Sequence, residues 1–597
     1  MKSNVLDRSS LLFMHFGFFM VLGIMIPLIH LFYSIETKEY MVMTIGIWGI
    51  VSVFSRGYSP SILLDRTDII LGLFVVYMGV HFALFSINSV WYMEVWWRLS
   101  LVVFYYILRN LYAKYLGQVF QLMLIFIVSK YVVEVLVGVL QLFGVLPSRN
   151  PYFELAGTFA TPNFYAASLC LGLLSTFWSF LYVPAVRKQK SCQILAIFLS
   201  ILGLFLVFKT YSRSAVLALF LGLIVLGYTS SSIRNQVQQI SRFWKVVIVV
   251  SCTVGLLFSG NYMYYFKKDS ADGRAFIAKI MWQEIQKKPM LGHGVFSFTE
   301  GYNTAKSHYF TQEERSWSEI KNGNYIYSAF NEYLELSYEA GGIALLLFLI
   351  LIAMVFRRKT MDSKRQLGAA IVVFFLVMAI FFSISRNATL SLMVVIAFFI
   401  VHSYSTANGK YTVKNRDFMI AVSLMSTMLL AIYGIKVKAR RDFNQKYHSV
   451  ATSNAIPRAA CKRMATLFSD DGYSDFYYGK MVYENYDLKE GLAIMEGGIK
   501  KNMAPKLIRK LIKYYKKQGC LERAEALCRF NIGNEFFRFQ HRGDLIAILQ
   551  KTGDTIALKI LLHNIINFPV KIPSKKVEDY KKQAGLLLEK ITASQGE

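Results

Sequence analysis

The 597-residue chain is predicted to be all-α: a polytopic membrane helix bundle of about 12–13 spans, followed by a soluble helical tail. Two observations predict this. Hydrophobic residues make up 55% of the chain and charged residues only 17%, too little charge to keep a soluble chain of this length in solution. The apolar residues also come in runs of roughly 18–25, the length that crosses a hydrocarbon core of about 30 Å. A helix of a soluble core is shorter and keeps a polar face.

The runs fall at 11–33, 38–55, 68–87, 95–112, 117–144, 162–182, 192–209, 214–229, 244–261, 332–356, 367–384, 389–405 and 417–436. The first follows Lys2 and Arg8 and is too long for a signal-peptide core. No small-residue cleavage site comes after it, so it reads as an uncleaved signal anchor. The fourth is interrupted by Arg98 and Arg109. Four domains are expected: an N-terminal transmembrane bundle (1–261), an extracytoplasmic loop (262–330), a C-terminal transmembrane bundle (331–436) and a soluble tail (437–597).

The net charge of +29 is explained without nucleic acid. Arg56 and Arg66, Arg109 and Lys114, Arg187 to Lys190, Arg234 to Lys245, Arg357 to Arg365 and Lys410 to Arg416 all fall on alternate loops, the cytoplasmic set by the positive-inside rule. The opposite short loops carry few cations, and an odd span count then puts the tail outside. Cys170, Cys192 and Cys252 lie in apolar runs, and Cys461, Cys520 and Cys528 lie in the tail without CxxC spacing. Neither a metal site nor a disulfide framework is implied.

The tail repeats weakly. Tyr486-Asp-Leu-Lys-Glu-Gly-Leu-Ala and Gly519-Cys-Leu-Glu-Arg-Ala-Glu-Ala align at a spacing of about 33, close to the tetratricopeptide period of about 34. An ordinary helical bundle is the other reading. From residue 437 the tail carries 29 Lys and Arg against 17 Asp and Glu, which suits a surface near anionic head groups.

A charge at a membrane span is costly and therefore a functional candidate. Arg213 opens a span in Tyr211-Ser-Arg-Ser-Ala215. Arg274 begins a predicted helix that runs to Lys288 and stops at Pro289. Gly292-His-Gly294 is a tight turn, Asn331 heads the next span, and Arg386 ends another. All lie on the predicted outer side. Guanidinium groups make paired, charge-assisted hydrogen bonds to phosphate oxygens. The competing reading is that each arginine snorkels to a head group, which would leave the long loop unexplained.

At these residues the chain resembles the superfamily of O-antigen ligases, O-antigen polymerases and protein O-oligosaccharyltransferases. Gly157-Thr-Phe-Ala-Thr-Pro-Asn163 is similar to its Gly-x-Phe…Pro-Asn segment, and Tyr211-Ser-Arg-Ser-Ala215 to its Ser-Arg-(Ser/Gly)-Ala motif. Arg274, Trp282, Pro289 and Gly292-His-Gly294 resemble its Arg…Trp…Pro-x-x-Gly-x-Gly stretch. Asn331-Glu-Tyr-Leu-Glu-Leu and Gly341-Gly-Ile resemble the start of the following span. The resemblance covers residues 155–350, in the family's order.

It implies a GT-C-like inner-membrane glycosyltransferase with its site and tail facing the periplasm. Such an enzyme moves a glycan from undecaprenyl diphosphate to an acceptor hydroxyl, with inversion and without a required metal or cofactor. Lipid A-core or an exported protein is the implied acceptor. By motif position Arg213 and Arg274 hold the diphosphate, and Asn163, Asn331 and Arg386 stand as substrate-binding candidates. Ligases carry a His where this chain has Phe330, and Ala344 replaces a glycine. Phe330 cannot take a proton, so His293, His308 and Glu332 are the candidate bases. The tail suggests a protein partner. A repeat-unit polymerase is the first alternative, and a transporter or scaffold the second.

Overall fold

The computed structural model describes residues 13–33, 37–54, 61–86, 93–239, 241–243, 250, 268–311, 315–357, 362–403, 411–447, 457–468, 472–571 and 573–593. Apart from one ribbon of two four-residue strands, Ser61–Leu64 antiparallel to Tyr411–Lys414, the regular structure of these residues is helical. The bundle comprises α1 (Phe13–Phe32), α2 (Thr37–Phe54), α3 (Arg66–Phe85), α4 (Met93–Leu142), α5 (Pro162–Tyr182), α6 (Lys190–Lys209) and α7 (Arg213–Thr229). Two loop helices follow, α8 (Lys268–Lys287) and α9 (Phe298–Thr311), then α10 (Glu332–Phe356), α11 (Ser363–Phe381), α12 (Ala388–Ser403) and α13 (Asn415–Tyr447).

Eight helices among the described residues are long and apolar enough to cross a membrane, fewer than the thirteen runs expected. The difference is one of length and charge. The second, eighth and twelfth runs are α2, α7 and α12, which have 18, 17 and 16 residues. The ninth, 244–261, lies almost wholly outside the described residues.

The fourth run is the first part of α4, Met93–Leu142. That helix holds two passes. The Phe19 ring lies 6.2 Å from Phe104 and 5.5 Å from Phe126, yet twenty-two residues of straight helix would part those two by about 33 Å. The chain doubles back between them, so the fourth and fifth runs lie side by side.

Burial separates a centre from a rim. In α5 and α11, 78% and 67% of the most apolar window is buried, against 11% in α3 and 17% in α6. The exposed residues of α3 and α6 include Leu73, Val76, Val80, Ile194, Phe198 and Ile201, an apolar surface that water would not tolerate and lipid would. At one end of the bundle the ribbon, the Trp178 indole on the Ser363 carbonyl and the Arg109–Asp68 pair tie helices together. At the other end lie the 143–161 segment, α8, α9 and the tail.

α10 is broken at Gly341 (φ +76°). Breaking a membrane helix frees backbone groups that need new partners. The Pro289–Gly294 loop supplies them. Gly342 N–H donates to the Pro289 carbonyl (2.8 Å), while His293 and Gly294 N–H donate to the Tyr338 and Glu339 carbonyls (2.8 and 2.9 Å). A Cβ on Gly341 would stand 2.0 Å from the Met290 oxygen, whereas one on Gly342 would stand 3.2 Å from the Pro289 oxygen. Gly341→Ala is therefore expected to unseat the loop and lower the thermal midpoint of the purified protein well below that of Gly342→Ala.

α13 does not end near 436 as the hydropathy suggested. It continues to Tyr447, because Arg440 pairs with Glu39 (3.1 Å) and lies 4.6 Å from the Phe468 ring. The tail then forms helix hairpins: Tyr473–Asn485 with Leu488–Lys501, Pro505–Lys517 with Leu521–Asn534, and Phe539–Thr552 with Thr555–Asn567. Lys575–Ala593 closes the set. The second helices begin 33 and 34 residues apart, one hairpin more than the sequence repeat suggested. Their shared core is Phe476, Met495, Leu507, Leu511, Leu549 and Leu562.

The tail packs on α9. The Lys306 ammonium donates to Asn303 Oδ1 (2.9 Å), the Asn324 carbonyl (2.5 Å) and the Asn534 carbonyl (2.8 Å). Ser307 donates to the Phe530 carbonyl, and Phe310 stacks on Phe536 at 4.4 Å. The tail thus lies at the same end as the arginine-bearing loop.

Candidate functional site

Arg274 sits in the second turn of α8. Its guanidinium lies 4.9 Å from the Phe382 ring centre and 6.0 Å from those of Phe330 and Phe381. Among the described residues no carboxylate is paired with it. Burial, and after it the positive charge of Arg213, pull its pKa below the usual arginine range. A guanidinium held in an aromatic cup beside a second positive charge favours an anion as its partner.

Arg213 is the first residue of α7. No side chain caps that helix, although Ser212 stands at the cap position. The Ser212 hydroxyl is buried and has no hydrogen-bond partner. First-turn amides, an idle serine hydroxyl and an arginine together make a ready anion site. The residue before the N-cap of each of two helices is strained: Tyr211 (φ +53°), before Ser212 of α7, and Phe330 (φ +52°), before Asn331 of α10. Bulky residues rarely adopt this conformation, and such strain gathers at functional sites.

The other candidates divide. Asn163 stands beside Phe164 at the start of α5, and the Phe164 ring lies 6.1 Å from Phe382, so this segment joins the floor under Arg274. Asn331 caps α10 by accepting from Leu334 N–H (3.0 Å). Glu332 accepts from Ser385 N–H (3.3 Å), tying α10 to the 382–387 segment. Arg386 is neutralised by Glu335 (2.6 Å). His293 is placed away from the arginine pair, near the far end of α8. Its Nε2–H donates to the Glu284 carbonyl (2.9 Å) and its ring stacks on Tyr338 at 4.6 Å, which fits a loop-holding role. His308 lies on α9 and is exposed.

Sequence reasoning passed over Glu335. It accepts from Ser383 Oγ (2.5 Å), Ala329 N–H (3.1 Å) and Arg386 Nε (2.8 Å), so one carboxylate ties α10 to the loop before it and to the 382–387 segment. A carboxylate in the first turn of a span was itself a signal. Ser212 also carried one, as a serine directly before a helix start.

Glu300 opens α9, and burial pushes its carboxyl up to about 7. A carboxyl raised in the folded state stabilises the fold at low pH. That contribution is complete below the unfolded value and is lost as pH rises through about 7. Glu300→Gln cannot ionise, so it is expected to raise the thermal midpoint at pH 8 and leave it nearly unchanged at pH 5, read by thermal scans in detergent.

Residues 198–349 match the family model described as O-antigen ligase. The matched stretch contains Arg213, Arg274, Phe330 and Glu335, while Asn163 and Arg386 lie outside it. No curated protein matches the chain. That match, over about a quarter of the chain, supports a place in the O-antigen ligase superfamily and a membrane glycan-transfer role of that type.

Proposed function

We propose that the protein transfers a glycan from undecaprenyl diphosphate to an acceptor hydroxyl at the outer face of the inner membrane. One observation carries this reading: half-buried Arg274, itself paired with no carboxylate among the described residues, lies within electrostatic reach of Arg213 at the start of α7. A diphosphate supplies the missing negative charge. During transfer the acceptor oxygen forms a bond to the sugar C1 as the C1–O–P bond breaks, and the electron pair leaves with the diphosphate. Arg213, Arg274 and the Ser212 hydroxyl stabilise that departing charge. Two guanidiniums can supply the charge that a divalent cation would otherwise bring, which suits a metal-independent reaction with inversion.

Phe330 takes the place of the family's His and lines the aromatic cup under Arg274. The acceptor proton then passes to water or to the diphosphate, a leaving group that needs no acid. The positive-inside pattern supports a periplasmic site and tail. The tail's helix hairpins favour a protein acceptor or partner over lipid A-core, because stacked helix pairs offer extended surfaces for polypeptide.

The test is transfer in liposomes from glycan-charged undecaprenyl diphosphate. Lipid A-core, an exported Ser/Thr-bearing protein and a second carrier-linked unit are offered as acceptors. Movement of glycan to lipid A-core or protein supports a ligase, and to the carrier-linked unit a polymerase. Folded protein that moves glycan to none of them would sink the reading.

A further inference from the structure

We propose that the cavity between the tail and the membrane bundle binds a short saccharide, with the tail forming one wall. This rests on the glycan-transfer reading above. The cavity has a volume of about 560 Å³, within the range of small-ligand pockets. Lys38, Glu94, Thr158 and Arg386 contribute from the bundle, and Tyr473 and Ser474 from the tail.

The charges here come already paired: Lys38 with Glu94, Arg386 with Glu335, and Arg440 with Glu39. The cavity therefore presents fixed donors and acceptors rather than bare charge. Such a lining suits a polyhydroxylated ligand, whose hydroxyls both donate and accept, and an aromatic ring such as Tyr473 can cover the apolar face of a sugar.

Both bundle walls lead to the arginine pair. Ala160 and Arg386 line the cavity, and each is four residues from a member of the Phe164–Phe382 contact beneath Arg274. Four residues of extended chain reach at most about 14 Å. Sugars beyond a clamped diphosphate, or an acceptor sugar approaching it, fall within that distance.

The test uses the full-length protein in liposomes and in detergent. The probes are the host's lipid-linked oligosaccharide and the same oligosaccharide freed from its diphosphate by mild acid. Ser474→Trp fills the cavity from the tail side, and Tyr473→Ala removes a ring without adding bulk. Wild type is expected to bind the freed oligosaccharide, and both variants to bind it about tenfold more weakly, by calorimetry.

In transfer assays with either variant, KM is expected to rise about tenfold with kcat unchanged. The donor KM rises if the cavity holds the transferred glycan, and the acceptor KM if it holds the acceptor. Equal binding by wild type and both variants, or no binding by wild type, overturns the proposal even if transfer proceeds. Binding that is lost in the variants while wild type transfers nothing leaves the saccharide site standing and removes the transfer reading.

Discussion

Arg274→Ala is expected to lower the turnover of glycan transfer by about 10²–10³-fold, the usual cost of removing one preorganised donor from a developing anion, while the protein still folds and inserts. The guanidinium makes no ion pair with a carboxylate in the described structure, and its neighbours are the rings of Phe330, Phe381 and Phe382. Removing it therefore strands no buried counter-charge. It relieves repulsion with Arg213 instead, so thermal stability should hold or rise. Loss of activity without loss of stability separates a ligand-holding arginine from one that merely snorkels. Arg274→Lys keeps the charge but not the planar fork that grips two oxygens, and its activity should fall between wild type and alanine. Arg213→Ala should resemble Arg274→Ala. The double variant should lose much less than the product of the two, because both arginines act on one leaving group.

Asp68→Ala should do the opposite: it should damage the fold and spare the chemistry. Asp68 lies at the ribbon end of the bundle, where Arg109 donates to its Oδ2 at 2.9 Å. Both side chains are almost fully buried, at 2% and 4% exposure. Tyr105 and His402 complete the cluster, with Tyr105 Oη 2.5 Å from His402 Nδ1 and His402 Nε2 3.0 Å from Asp65.

Ligand-type atoms of Asp65, Asp68 and His402 lie within 4.8 Å of one another, and here Arg109 brings the positive charge. Stripping one partner from a buried ion pair costs about 3–5 kcal/mol, enough to unfold much of the protein at moderate temperature. Asp68 also closes the capping box of α3 with Asp65, so alanine loses a cap as well. Asp68→Asn keeps an acceptor for Arg109 and should be milder. Activity per folded molecule should stay near wild type in both, measured after size exclusion, because the cluster stands at the opposite end of the bundle from Arg274.

The sequence carried the spans and the arginines because each signal is local. A run of apolar residues is a span by its own length, and Arg213 and Arg274 stand out by being charged where charge is costly. What it did not carry are contacts between distant segments. Pro289 to Gly294 and Gly341-Gly-Ile were each visible as glycine motifs, yet only the folded chain has one mend the other's broken helix. Glu335 joins residues from Ala329 to Arg386, a convergence that spacing along the chain cannot express.

Phe330 was legible as a departure from a family pattern, but its place beneath Arg274 was not. The end of α13 was misplaced for a simple reason. Hydropathy stops at the first charges, while the helix goes on because Arg440 has Glu39 and Phe468 to meet.

The most direct measurement is the equilibrium affinity of the purified protein for undecaprenyl diphosphate, comparing wild type with Arg213→Gln and Arg274→Gln. Each lost charge-assisted contact should weaken binding by about 10–100-fold, and inorganic diphosphate should compete with the carrier lipid for wild type. Equal affinity in all three proteins, with no competition, would contradict a diphosphate clamp at these two arginines.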